Sequence, residues 1–248
     1  MWVAMQCDCA VLIAGNTGSG KTSSLNALFS FVPANERIVV VEETPEIRLP
    51  HKHLVKLNVV KEQNIAMQNL IVDTLRMRPD RIVVGEVRSS EETKAFIDTL
   101  LAGQGKGSYA TFHGQSAKEA ANRMKALGID ETDIGALDLI VVQRRWSRVD
   151  SGTGKTAEMR RIMEITELQE ENGAVSFNPL FQYDFGQDKL LPVGESKRVA
   201  LKAMNCFALN RKQLDAEIAR RAALLQKSVG RDLGIEEFFR LVNSKWQN

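Results

Sequence analysis

Residues 15–22 read Gly15, Asn16, Thr17, Gly18, Ser19, Gly20, Lys21, Thr22 and meet every fixed position of the phosphate-binding pattern G-x-x-x-x-G-K-[ST]. The chemistry such a run supports is specific. Glycines let backbone N–H groups turn inward around phosphate oxygens, and a helix starting at the end of the loop adds the positive end of its dipole. Lys21 is expected to reach the β- and γ-phosphates and the Thr22 hydroxyl to ligate Mg²⁺, with Ser23 following in the same turn. Binding of ATP with Mg²⁺ is the expectation. A near-copy at Ser151, Gly152, Thr153, Gly154, Lys155, Thr156 has Val149 where the first glycine belongs. It lies between runs of antiparallel character with no helix to follow, which predicts a hairpin loop and not a second site.

Turnover needs a carboxylate near the γ-phosphate. Glu86 follows the apolar run Ile82, Val83, Val84, Gly85, and so falls at a strand's carboxyl end, where parallel sheets bind their ligands. It is placed to hold the Mg²⁺ shell or to polarise the attacking water. A second acidic group, Glu42, Glu43 and Glu46, comes just after another apolar run at 37–41.

The elements that must position these groups follow from periodicity. Short apolar runs at 10–14, 37–41, 54–59, 81–85 and 108–113 alternate with amphipathic stretches at 20–29, 65–76, 91–101 and 117–127, the pattern of a parallel sheet wrapped by helices. Three further runs at 139–142, 159–168 and 174–183, separated by polar turns containing glycine, predict antiparallel strands added at the sheet edge. From Asn210 the chain is predicted helical, with Asn210 and Gln213 at capping-box spacing and Leu214, Ile218 and Leu225 on one face. A second helix carries Ile235, Phe238, Phe239, Val242 and Trp246 in a stripe, expected to pack on the core. The fold class expected is α/β, mostly parallel with antiparallel edge strands. Its expected domains are a nucleotide-binding core over 1–190 and a small helical subdomain over 191–248.

Composition narrows the functional classes. The 33 basic and 31 acidic residues leave a net charge of +2, so no direct nucleic-acid partner is expected. Cys7, Cys9 and Cys206 are too few and too badly spaced for a disulfide framework or a four-ligand zinc site, and a reducing cytoplasm fits them. No apolar run approaches the roughly 18 residues of a membrane span, so membrane contact is expected only through a partner.

Four motifs in order carry a resemblance to a known family. Arg78, Pro79, Asp80, the apolar run, then Gly85, Glu86, Val87, Arg88 and Glu91 is similar to the RPD…GE[IV]R-x-x-E Walker B region of the ATPases that power type II and type IV secretion and pilus and archaellum assembly. Val41 to Ile47, VEETPEI, resembles that family's Asp box, and SYATFHGQSA at 108–117 resembles its His box. The phosphate loop is the fourth. The similarity continues through VVQRR at 141–145, RRIMEITEL at 160–168 and NPLFQYD at 178–184, and the C-terminal portion looks most like the archaeal branch.

The resemblance implies that the fold is RecA-like, with Glu86 as the Walker B acid near Mg²⁺, Glu46 as general base and His113 as sensor of the γ-phosphate. Arg88, with Arg76 and Arg78, stands where cations steady transition-state charge or join subunits. Glu43 stands where the family usually has Asp, which leaves its duty at the metal an open expectation. The resemblance also implies an N-terminal domain that is expected to be missing here, since only 14 residues precede Gly15. An intact member is expected to form a homo-hexamer at the cytoplasmic face of the membrane and push on an integral membrane platform protein. Two other classes stand beside this one: a nucleic-acid-dependent RecA-like motor, whose ATPase single-stranded DNA would stimulate, and a nucleotide-binding scaffold that does not hydrolyse.

Overall fold

The computed structural model describes residues 1–103, 105–171 and 174–244. Among the described residues nine strands form one sheet, and β1 (Val11–Gly15) lies in its interior with all five residues buried. Its parallel neighbours are β5 (Ser108–Phe112) on one side and β6 (Leu139–Val149) on the other. Beyond β5 come β4 (Arg81–Val84), β2 (Ile38–Glu42) and β3 (Leu54–Asn58), all parallel. Beyond β6 the sheet turns antiparallel through β7 (Thr156–Glu171), β8 (Ala174–Asp184) and β9 (Lys189–Pro192).

Because side chains alternate along a strand, β1 feeds two cores. Leu12 and Ala14 face one side with Phe96, Ile71 and Met124; Val11 and Ile13 face the other with Leu25, Phe29 and Met5. The first core is closed by α3 (Met67–Thr74), α4 (Ser90–Leu101), α5 (Ala117–Ala126) and the single turn α6 (Glu131–Ile134). The second is closed by α1 (Trp2–Gln6), α2 (Lys21–Phe29), α7 (Arg198–Phe207) and the start of α8 (Arg211–Ser228). The strands and helices expected from periodicity all appear, with ends moved by a residue or two where turns fray. All three runs expected as antiparallel edge strands are strands, longer than their apolar runs, but the first of them is corrected: β6 runs parallel to β1, and the antiparallel pairing begins only where β7 turns back along it.

Among the described residues α1, α6, α7, β9 and a single 3-10 turn at Lys61–Gln63 have no counterpart in the sequence expectation. Helical structure therefore resumes at Arg198, well before Asn210. The reason is that α7 is capped from another strand. Glu167 on β7 is buried, and its carboxylate accepts from the backbone amides of Lys197 and Val199, each at 2.9 Å, and from the Ser196 hydroxyl at 2.6 Å. Burial pushes the Glu167 carboxyl up, but these hydrogen bonds outweigh it and bring it down to about 2. Asp138, also buried, ties the same helix down through Arg198 at 2.7 Å and Lys202 at 2.8 Å.

The Asn210–Gln213 capping box is present at the start of α8. On that helix Leu214 is buried as expected, but Ile218 is 45% exposed and its place in the contact is taken by Arg221. The stripe of α9 (Ile235–Asn243) packs on the core: Phe238 meets Phe31, Phe239 meets His51, and Asn243 donates to the Ser30 carbonyl at 3.0 Å. Ile235 stays exposed, and Trp246 lies outside the described residues. Residues 150–155 form the turn joining β6 to β7, with Thr156 already in β7, and Asp150 closes it by accepting from the amides of Gly152 and Thr153.

Candidate functional site

The phosphate loop leaves β1 at Gly15 and enters α2 at Lys21. Gly15 sits so close to β6 that a Cβ there would fall 2.3 Å from the Gln143 carbonyl oxygen, and Gly20 opens the helix at φ 96°, where only glycine is unstrained. Asn16 locks the loop to β6, donating to the Arg145 carbonyl at 2.8 Å and accepting from its amide at 2.9 Å. Ser19 is fully buried, and its hydroxyl has no protein partner among the described residues. Lys21 is buried as well and folds its ammonium back on the Gly15 carbonyl at 3.3 Å, with Glu86 at 3.7 Å. Burial pushes the Lys21 ammonium below its ordinary value, with the Glu86 charge opposing.

Across a cleft of about 610 Å³ the loop faces the carboxyl ends of β2, β4 and β5. Thr17, Gly18, Gly20, Lys21, Thr22 and Ser23 line one wall; Glu43, Glu46, Glu86, Arg88 and His113 line the other. Glu86 is the hub: His113 Nε2 stands 3.0 Å from it, and Arg88 forms a short ion pair with it. Burial first, and then the Lys21 charge, push the His113 imidazole down, so it is neutral at pH 7. Thr111, two residues before it, donates to the Gly85 carbonyl at 2.6 Å and so holds β5 to the end of β4.

The three acids after β2 have three different situations. Glu46 accepts from the Thr22 hydroxyl at 3.2 Å. Glu43 reaches the same wall, but its oxygens are taken by Lys61 at 2.5 Å and Arg88 at 3.0 Å. Those contacts hold its carboxyl below the usual range, the Lys61 hydrogen bond most of all. Glu42 is buried, with Lys56 at 3.5 Å, and its other oxygen accepts the amides of Glu46 and Ile47. Arg76 and Arg78 are exposed and stand apart from the residues lining the cleft.

Two cations at the cleft were not singled out by the sequence reading. Arg160 on β7 lines the cleft, and Arg145 on β6 lies against Gly18. The VVQRR run held Arg145 in view, but its proximity to Arg160 depends on the pairing register of β6 and β7, which carries a bulge after Val142.

The arrangement presents a glycine-rich loop opening a helix, a buried ammonium and a hydroxyl at one wall, and a carboxylate hub with a neutral imidazole at the other. Comparison with known proteins agrees. The family model described as "Type II/IV secretion system protein" matches residues 2–237. A putative conjugal transfer protein of Mycobacterium tuberculosis is 36% identical over 186 residues, covering 71% of this chain and 51% of that protein. An uncharacterised protein of Methanocaldococcus jannaschii is 27% identical over 252 residues, 98% of this chain and 90% of the other. Among solved structures, the VirB11 ATPase of the Brucella suis type IV secretion system, in complex with sulphate, is similar with a TM-score of 0.55 and 28% identity, covering 67% of this chain and 50% of that one. The chain thus spans about half the length of the conjugal-transfer and VirB11 proteins.

Proposed function

The chain belongs to the type II/IV secretion system protein family, and on that premise we propose that it is an ATP-hydrolysing motor domain that powers secretion or the assembly of pilus-like filaments. The observation that carries this reading is the meeting of Lys21, Glu86 and His113 within one cleft, with Glu86 3.7 Å from the ammonium and 3.0 Å from the imidazole. A phosphate loop that merely bound a nucleotide would need no such carboxylate hub. The name of the Brucella suis relative, an ATPase of a secretion system, supports it.

In this reading the loop amides and Lys21 hold the polyphosphate, and Glu46 takes the proton of the attacking water. His113, neutral and bonded to Glu86, reports the γ-phosphate by trading that contact for one to phosphate. The oxygen donors fit magnesium, a hard ion that needs few protein ligands. Thr22 and Glu86 would hold it, the buried and unpartnered Ser19 hydroxyl adds a donor in the same loop, and the ion supplies positive charge against the polyphosphate. Glu43 acts through Arg88, which it pairs, and not at the metal. The proposal extends to a ring of six copies working on an integral membrane platform at its cytoplasmic face. Among the described residues no helix is long and apolar enough to cross a membrane.

The test is Mg²⁺-dependent ATP hydrolysis by the chain and its Glu86→Gln variant, with fluorescent-nucleotide binding followed in parallel. Turnover by the parent and binding without turnover by the variant are expected. Equal turnover by both would remove Glu86 from the chemistry, and absence of nucleotide binding would overturn the reading.

A further inference from the structure

One face of the β6–β7 pair looks onto the phosphate loop. It presents Gln143 and Arg145 from β6, two residues apart as a strand requires, and β7 sets Arg160 directly opposite Arg145. Three contacts fix this face. Gln143 accepts from the Ser24 hydroxyl at 2.8 Å, and the Arg145 backbone holds Asn16 on both sides. The Arg145 guanidinium covers Gly18 so closely that a Cβ there would come within 2.7 Å of Nη1. Glu158 then bridges the two cations, accepting from Arg145 Nε at 2.6 Å and pairing with Arg160 Nη2 at 2.8 Å. Since β6 lies on the opposite side of β1 from β5 and β4, both guanidiniums approach the loop from the side away from Glu86 and His113.

We propose that Arg145 and Arg160 form an anion clamp, occupied by Glu158 when no nucleotide is bound, that takes the α- and β-phosphates of the nucleotide. The proposal rests on the nucleotide reading above and assigns side chains to the α-phosphate, beyond the reach given to Lys21, Glu86 and His113, with the β-phosphate shared between the clamp and Lys21. Planar guanidinium forks match phosphate oxygens as well as they match a carboxylate. All three side chains are about half exposed, between 42% and 53%, so exchanging Glu158 for phosphate costs little desolvation. Arg145 remains anchored throughout, because its tie to Asn16 runs through the backbone and leaves the guanidinium to turn.

The test is displacement of a fluorescent nucleotide by ATP, ADP and AMP from the full chain and from Arg145→Gln, Arg160→Gln and Glu158→Gln. Each arginine variant is expected to weaken ATP and ADP by a similar factor, about tenfold, so that the ratio of the two affinities stays put. Glu158→Gln is expected to tighten both, a gain that misfolding cannot imitate. The clamp is overturned if the arginine variants bind like the parent, if ATP alone weakens, which would make them γ-phosphate ligands, or if Glu158→Gln weakens binding. Failure of the parent to bind any nucleotide overturns the nucleotide reading and the clamp with it.

Discussion

The buried carboxylate of Glu42 accepts the backbone amide of Glu46 at 2.9 Å and the next amide, that of Ile47, at 3.0 Å. One acid of the cluster therefore holds another in place, and the loop that carries Glu46 turns back toward Thr22 because Glu42 caps it from beneath.

Replacing Glu42 by Ala leaves the amides of Glu46 and Ile47 without their acceptor and Lys56 with only the Ile47 carbonyl. The expected cost is about 2–4 kcal/mol of folding stability, read by urea denaturation. Turnover should fall through kcat with nucleotide affinity nearly kept, since Lys21 and the loop are untouched. Glu42→Gln, which retains one acceptor oxygen, should recover part of the stability; a kcat equal to the parent's in Glu42→Ala would show that Glu46 is positioned by something else.

Lys21 is expected to be a functional cost to the fold. Its ammonium is buried, and desolvation outweighs the pull of Glu86. Lys21→Met should abolish detectable nucleotide binding while leaving nucleotide-free stability unchanged or raised by about 1 kcal/mol. Thermal melting without ligand checks it, and a loss of more than about 2 kcal/mol would mean the lysine is structural.

Glu167→Ala removes the cap of α7. Because the folded carboxyl is depressed to about 2, its contribution is present in full above its unfolded value near 4.3. It is lost as pH falls through the folded value. At neutral pH the variant should lose about 2–4 kcal/mol, with hydrogen-exchange protection falling first in α7. Between pH 4.5 and 2.5 the gap between parent and variant should shrink; a constant gap would mean that Glu167 acts by packing alone.

His51 and His113 both titrate below the ordinary histidine value, in each case chiefly through burial. The unfolded chain takes up protons first, so stability is full above about pH 6.5 and declines as pH drops toward the folded values. The urea midpoint should fall between pH 7.5 and 5.5. His51→Phe, set among the rings of Phe29 and Phe239, should shrink that fall; an undiminished fall would assign the effect elsewhere.

Local sequence was enough for whatever depends on neighbours along the chain. The phosphate loop, the strands behind it, Glu86 at the end of β4 and the Asn210–Gln213 cap are each contained in a few consecutive residues, and each occurs where the sequence puts it. What tertiary structure decided depends on residues far apart. Three glutamates within five positions read alike, yet the last pleat of β2 sends Glu42 into the interior and leaves Glu43 to Lys61 and Arg88 and Glu46 to Thr22. The N-cap of α7, Lys197, offers no side-chain cap, and the helix start is held by Glu167 together with Ser196, while α1 is too short to persist without the core it covers. Arg145 and Arg160 meet only because the antiparallel register, shifted by its bulge, sets them opposite one another. A strand displaced by one residue would turn every side chain to the other face, and that choice is made by burial across the whole sheet.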